Sequence, residues 1–138
     1  MKRFHHAAAS WAPVLLWMGV IFWFSAQPSL PGLPDPTADH FLKKGGHAVG
    51  YAILAVLTAR AARSGRPLSL RHAVLATLIA AAYAVTDEFH QSLVPGRTPS
   101  AYDWSVDIGG AVIGLVAYAR PGGLIPPGLG SRHTGDLQ

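Results

Sequence analysis

The fold of this chain is decided by an apolar stretch near its N-terminus, residues 11–26, WAPVLLWMGVIFWFSA. The stretch carries no charged side chain and holds three tryptophans, Trp11, Trp17 and Trp23. Such runs are typical of helices that cross a bilayer, where tryptophan favours the interface. Further apolar stretches follow at residues 46–62, 70–86 and 104–119. The pattern predicts an all-α fold, an integral membrane bundle of four transmembrane helices.

The composition agrees with this prediction. Of the 138 residues, 50% are hydrophobic and 13% are charged, against roughly 25% charged in soluble domains. The absence of cysteine excludes disulfides, thiolate metal sites and cysteine nucleophiles. The net charge of +4 does not indicate nucleic-acid binding, because the basic residues form short clusters between apolar stretches.

Each apolar stretch has only 16 or 17 residues, slightly fewer than the roughly 20 that a span needs. The flanking polar residues are therefore expected to contribute to each crossing. A cleaved signal peptide is the alternative for the first stretch, because Lys2 and Arg3 precede it. The three tryptophans favour an uncleaved helix.

The connections between the stretches differ in character. Residues 27–42 contain four prolines, which predicts an irregular extended loop and no helix. Residues 63–67 predict a tight basic turn, and residues 95–99 a break between the third and fourth helices. Residues 1–120 are predicted to form one transmembrane domain, and residues 121–138, rich in glycine and proline, a disordered cytoplasmic tail.

Orientation follows from the distribution of lysine and arginine. Eight of the 11 fall at the N-terminus, around the 63–67 turn and in the tail; the other three are Lys43, Lys44 and Arg97. Cytoplasmic segments carry the excess of basic residues. The sequence therefore predicts both termini inside a bacterial cytoplasmic (inner) membrane, with the loops at residues 27–42 and 95–99 extracytoplasmic.

Polar residues at helical spacing mark the outer ends of three helices. They are Lys44, His47 and Tyr51 on the second, Asp87, Glu88, His90 and Gln91 on the third, and Asp103 and Asp107 on the fourth. Residues three or four apart share a helix face. Ionisable groups are costly towards lipid, so they are expected to turn inward and pair. The sequence predicts one recessed, outward-facing polar pocket.

Other roles for these residues stay open at this point. Asp103, Asp107 and Arg97 could form ion pairs that fix the loop, and Lys44 could anchor its helix at the membrane surface. A divalent metal on His47, His90 and Glu88 is conceivable, although we expect no metal and no cofactor. The pair Gly110 and Gly114 is typical of close helix packing.

The same residues resemble the VanZ-like membrane proteins. The resemblance runs from about Lys44 to Gly114 and consists of four motifs. They are Lys44-x-x-His47-x-x-x-Tyr51, Thr86-Asp87-Glu88-Phe89-His90-Gln91, Val94-Pro95-Gly96-Arg97-Thr98 and Asp103-x-x-x-Asp107-x-x-Gly110. Two positions depart from the family pattern: Lys43 stands where an acid is common, and an aspartate stands where relatives often carry asparagine.

The resemblance implies membrane location and fold more firmly than activity. The family is named after a protein linked to low-level teicoplanin resistance, and no reaction is settled for it as a whole. We expect a pocket that acts on a lipid-linked or cell-envelope substrate, with Asp87, Glu88 and His90 as catalytic candidates. Substrate-binding candidates are Lys44, His47, Tyr51, Gln91, Arg97, Asp103 and Asp107. Membrane lipids are the expected partners; a non-catalytic binder and a small transporter are the alternatives.

Overall fold

The computed structural model of the chain describes residues 2–28, 34–97 and 100–120. These residues form four α-helices: α1 (Lys2–Ser25), α2 (Pro36–Arg63), α3 (Leu70–Ser92) and α4 (Ala101–Ala119). The all-α prediction with four helices is confirmed. The tail at residues 121–138 lies outside the described residues, and the assignment of residues 1–120 to one domain stays a prediction.

The loop predicted at residues 27–42 is wrong in its second half, because α2 begins at Pro36. The carboxylate of Asp35 accepts hydrogen bonds from the backbone N–H groups of Thr37, at 3.4 Å, and Ala38, at 3.0 Å. It therefore caps two of the amides that a helix start leaves unpaired. Pro36 occupies the first turn, where a missing N–H costs nothing. The proline that suggested a loop in fact begins a helix.

The other helices also extend past their apolar stretches at one or both ends. α1 begins at Lys2, and α3 continues to Ser92. α4 begins at Ala101, where the hydroxyl of Ser100 accepts a hydrogen bond from the backbone N–H of Asp103, at 3.3 Å. The predicted turn after α2 is present, with Ser64 and Gly65 at positive φ.

The most extensive packing in the bundle joins α2 to α4. A Cβ atom built on Gly114 would lie 2.8 Å from Cβ of Ala52, and one built on Gly110 would overlap the backbone of Ala48. Only glycine allows the two backbones to approach this closely. The prediction that these glycines serve helix packing is consistent with this contact.

Hydrogen bonds from aromatic side chains attach α1 to the rest of the bundle. The indole N–H of Trp17 donates to the carbonyl oxygen of Gly50 in α2, at 2.8 Å. The hydroxyl of Tyr83 in α3 donates to the carbonyl oxygen of Met18, at 2.6 Å. The middle of α1 therefore contacts α2 through the side chain of Trp17 and α3 through the backbone of Met18.

The outside of the bundle is largely apolar. Large side chains with more than 60% of their surface exposed include Leu15, Leu16, Leu78, Phe89 and Ile113. By length and mean hydropathy, none of the four helices, taken over the described residues, qualifies as a candidate membrane span.

The bundle has one end at which α1 and α3 finish and α2 and α4 begin, called the polar end below. A hydrogen bond joins α1 to α3, an ion pair joins α2 to α4, and the charge interaction of Glu88 with Asp107 links the two pairs. The charged and polar side chains singled out from the sequence are carried there.

Candidate functional site

Lys44 and Asp103 form an ion pair that joins the beginnings of α2 and α4. Both side chains are largely covered, with 22% and 21% of their surface exposed. The ammonium of Lys44 also lies 5.5 Å from the ring centroid of Tyr102. Burial lowers the pKa of Lys44, and the negative charges of Glu88 and Asp107 partly offset that effect. The ammonium of Lys44 is therefore already paired with the carboxylate of Asp103.

His47 and Asp107 form a second contact between the same helices, one turn deeper. Nδ1 of His47 lies 3.4 Å from Oδ1 of Asp107, an ion-pair distance that is long for a hydrogen bond. Asp107 is completely buried, whereas His47 keeps a quarter of its side chain exposed. The histidine thus lies between a buried carboxylate and the surface.

Asp87 is held from two sides in the buried part of the polar end. Its Oδ2 accepts a hydrogen bond from the hydroxyl of Ser25, at 2.8 Å, and one from the amide of Gln91, at 2.9 Å. Asp87, Gln91 and Ser25 are all at least 95% buried. One oxygen of Asp87 is therefore fixed, while Oδ1 has no hydrogen-bond partner among the described residues.

Tyr51 is a buried polar group contributed by α2, with 1% of its surface exposed. Its hydroxyl approaches Asp87 and is affected by the charge of Asp107, but no described residue meets it at full hydrogen-bond geometry. Its ring lies 6.3 Å from that of Tyr83. A buried hydroxyl without a firm partner is uncommon in folded proteins.

Glu88 is a carboxylate with few hydrogen-bond partners among the described residues. Both of its oxygens are buried, and neither has a hydrogen-bond partner at good geometry. Burial raises the pKa of Glu88 first, and the charge of Asp107 raises it further. The backbone N–H of Ser100 lies near enough to favour the charged form and opposes this shift only in part.

Arg97 and His90 differ from what the sequence predicts. Arg97 donates to the carbonyl oxygens of Gln27, at 3.1 Å, and Phe24, at 3.3 Å, so it caps the end of α1. Its charge still reaches His47. The His90 ring stacks on Phe22 at a centroid distance of 4.2 Å, so it faces α1.

The structure thus brings together seven of the ten predicted site residues through direct contacts or mutual charge interactions. We call them the polar cluster: Lys44, His47, Tyr51, Asp87, Glu88, Asp103 and Asp107. Gln91 supports the cluster through Asp87, and Arg97 lies at its edge. His90 is directed elsewhere, and the chemical role of each residue stays a prediction.

Ser25 is the residue that the sequence analysis missed. It was given no role beyond its place in the first apolar stretch, yet its hydroxyl contacts both Asp87 and Gln91. A signal was present, because Ser25 is the last helical residue of an apolar stretch whose end meets Asp87. Only a correct pairing of α1 with α3 would have revealed it.

A metal site on three protein side chains finds no support in this geometry. Across the described ranges, no group of three or more histidine, aspartate and glutamate side chains is arranged to hold an ion. The three conceivable ligands do not form one site: His90 stacks on Phe22 and is not grouped with His47 and Glu88.

Comparison with known proteins agrees with the motifs. No curated protein and no solved structure matches the chain. The family model described as VanZ/LLP1 matches residues 10–124, which include all four helices apart from the first turns of α1. The resemblance drawn from the motifs is confirmed, and the chain belongs to the VanZ/LLP1 family.

Proposed function

We propose that the chain is a multi-pass protein of the bacterial cytoplasmic membrane. Family membership and the apolar outer surface support this, because soluble monomers rarely expose large contiguous apolar patches. The spans would be the apolar stretches at residues 11–26, 46–62, 70–86 and 104–119, with the polar end outside.

The eight-to-three distribution of basic residues supports this orientation. Alkaline phosphatase fused after Gly65 should be inactive, because that turn would be cytoplasmic. The matched fusion after Gly96, at the polar end, should be active. The reverse pattern would exclude both termini being inside.

Within this arrangement, the polar cluster is proposed to act on a lipid-linked or cell-envelope substrate at the outer leaflet. The observation that carries the proposal is Glu88, a carboxylate with buried, unpartnered oxygens and a raised pKa beside Asp107. Groups held in this way are suited to general acid–base work. Asp87, oriented by Ser25 and Gln91, would position the substrate, and His90 is not needed.

A non-catalytic binder of lipid head groups or envelope precursors is the second candidate. It is favoured by the buried oxygens of Asp107, which have no hydrogen-bond partner in the described part of the chain. Such atoms favour a ligand that donates hydrogen bonds, whether or not a reaction follows.

The test is Glu88→Gln, with Asp39→Asn as the control because Asp39 pairs with Lys43 outside the cluster, at 2.7 Å. Removing a carboxylate that neutralises a recessed cation costs about 3–5 kcal/mol. Lys44 already pairs with Asp103, and Arg97 with two carbonyl oxygens. Glu88→Gln should therefore fold normally and be neutral or mildly stabilising.

The expected result is loss of phenotype in Glu88→Gln at normal protein level, with the control unaffected. Teicoplanin susceptibility and envelope stress are the phenotypes to measure first, given the family. Full phenotype at full stability would remove Glu88 as the working residue. Loss of folded protein would instead assign Glu88 to an ion pair.

A further inference from the structure

The buried polar atoms of the polar cluster are unbalanced between acceptors and donors. The atoms without a hydrogen-bond partner among the described residues include five carboxylate oxygens: Oδ1 of Asp87, both of Glu88 and both of Asp107. The hydroxyl of Tyr51, which can donate one hydrogen bond, is the only such group on α2. A group that satisfies this cluster must bring several donors.

The charges point the same way. Four carboxylates in and around the cluster, Asp87, Glu88, Asp103 and Asp107, meet two permanent cations. Of these, Lys44 is taken by Asp103, and Arg97 by backbone carbonyls of α1. His47, which is charged only when protonated, contacts the carboxylate of Asp107. Among the described residues, no ion pair involves Glu88 or Asp87.

The cluster is more than a set of surface acids. Tyr51 and Asp107 are at least 99% buried, and their polar atoms lack hydrogen-bond partners in the described ranges. Buried groups that stay without a partner destabilise the fold. A ligand that donates hydrogen bonds would satisfy these groups at the polar end, where Lys44, His47 and Glu88 are partly exposed.

A bare metal ion does not fit, because the described carboxylates and histidines are not grouped at ligand geometry. A polyatomic cation reaches acceptors that are further apart, because its N–H bonds point in three directions. We therefore propose that the polar cluster binds a primary ammonium group, received by Glu88 and Asp107. This inference rests on the proposed function and names its ligand chemistry.

A primary ammonium can come from an aminophospholipid headgroup or from a soluble envelope molecule. Purified protein is offered equal amounts of phosphatidylethanolamine, phosphatidylcholine and phosphatidylglycerol, and retained lipid is measured by native mass spectrometry. Phosphatidylcholine keeps the positive charge without N–H donors, and phosphatidylglycerol lacks the ammonium. We expect phosphatidylethanolamine to be retained about tenfold or more over both, the range of one charge-assisted hydrogen bond.

Glu88→Gln should reduce this preference to near unity, while Asp39→Asn should keep it. A second arm uses glycerophosphoethanolamine, the same headgroup without acyl chains, and measures the rise in melting temperature. Stabilisation by this compound, without preference for the lipid, would support the ammonium and assign it to a soluble source.

Equal retention of phosphatidylcholine and phosphatidylethanolamine, with no effect of the soluble headgroup, would overturn the proposal. Preference for phosphatidylglycerol would overturn it too. These lipid comparisons use the unaltered protein, so they decide the matter even where a variant fails to fold. Binding is measured apart from phenotype, so a retained preference in a chain without envelope phenotype would count against the proposed function alone.

Discussion

The hydroxyl of Ser25, the last residue of α1, donates a 2.8 Å hydrogen bond to Asp87 near the end of α3. Together with the contact of Gln91 with Ser25, it forms a buried side-chain link between two helices that otherwise pack sparsely against each other. It fixes the same Asp87 oxygen that Gln91 holds from within α3. The position of Asp87 in the polar cluster therefore depends on α1.

Ser25→Ala should lower the free energy of unfolding by about 1–3 kcal/mol, because a buried carboxylate loses a donor. The control is Ser92→Ala, whose exposed hydroxyl donates only to the carbonyl oxygen of Phe89 in its own helix. Thermal unfolding in detergent measures both. Equal melting temperatures for the two variants would show that the link to Asp87 contributes nothing.

Gly110→Ala should prevent α2 and α4 from packing, because the added methyl group overlaps the backbone of Ala48. Backbone cannot move aside as a side chain can, so we expect a cost of about 1–3 kcal/mol or more. Gly109→Ala is the matched control, since nothing lies within 4 Å of its added Cβ. That variant should gain up to about 1 kcal/mol from helix propensity. Folded yield and melting temperature would separate them, and a well-folded Gly110→Ala protein would contradict the close approach.

The Lys44–Asp103 pair should show a coupling energy of about 0.5–3 kcal/mol in a double-mutant cycle, because both groups are largely covered. The comparison is the Asp39–Lys43 pair within α2, which is more exposed at its lysine. Pairs of that kind contribute about 0.3–0.5 kcal/mol. The cycle uses Lys44→Met and Asp103→Asn, measured by chemical unfolding. A coupling no larger than that of Asp39–Lys43 would mean that the pair does not hold α2 to α4.

Stability should fall as pH rises through the window just above the ordinary glutamate pKa of 4.5, because of Glu88. Its folded-state pKa is raised, so in that window the native state binds more protons than the unfolded state, and unfolding becomes easier with increasing pH. Asp107, Asp87, His47 and Lys44 face the same carboxylate, so the comparison must be differential. Glu88→Gln should remove part of this slope, whereas Asp39→Asn should leave it. Parallel profiles for Glu88→Gln and the unaltered protein would show that Glu88 titrates normally.

Much of the site could be predicted because helix periodicity needs no knowledge of packing. Spacings of three and four place Lys44 with His47 and Tyr51, and Asp87 with Gln91, on shared faces. The same spacing fits both His90 and Gln91, and only the packing distinguishes them, because Gln91 bonds to Asp87 whereas His90 stacks on Phe22. The beginning of α2 was misassigned because proline is tolerated in a first turn, and the Asp35 cap was overlooked. Arg97 was predicted to line the pocket because the sequence does not show that its side chain reaches the carbonyl oxygens at the end of α1.

The uneven packing of the bundle has a consequence for how a lipid headgroup would reach the polar cluster. The glycines of α4 lock it against α2, so that seam cannot separate without pulling backbones apart. Between α1 and α3, contact is sparse, and Ser25 and Tyr83 bridge it by hydrogen bonds. The exposed ring of Phe22, stacked on His90, covers this side. In the proposed membrane arrangement, we therefore expect a lipid headgroup to enter between α1 and α3, where the Ser25–Asp87 hydrogen bond must break to let it pass.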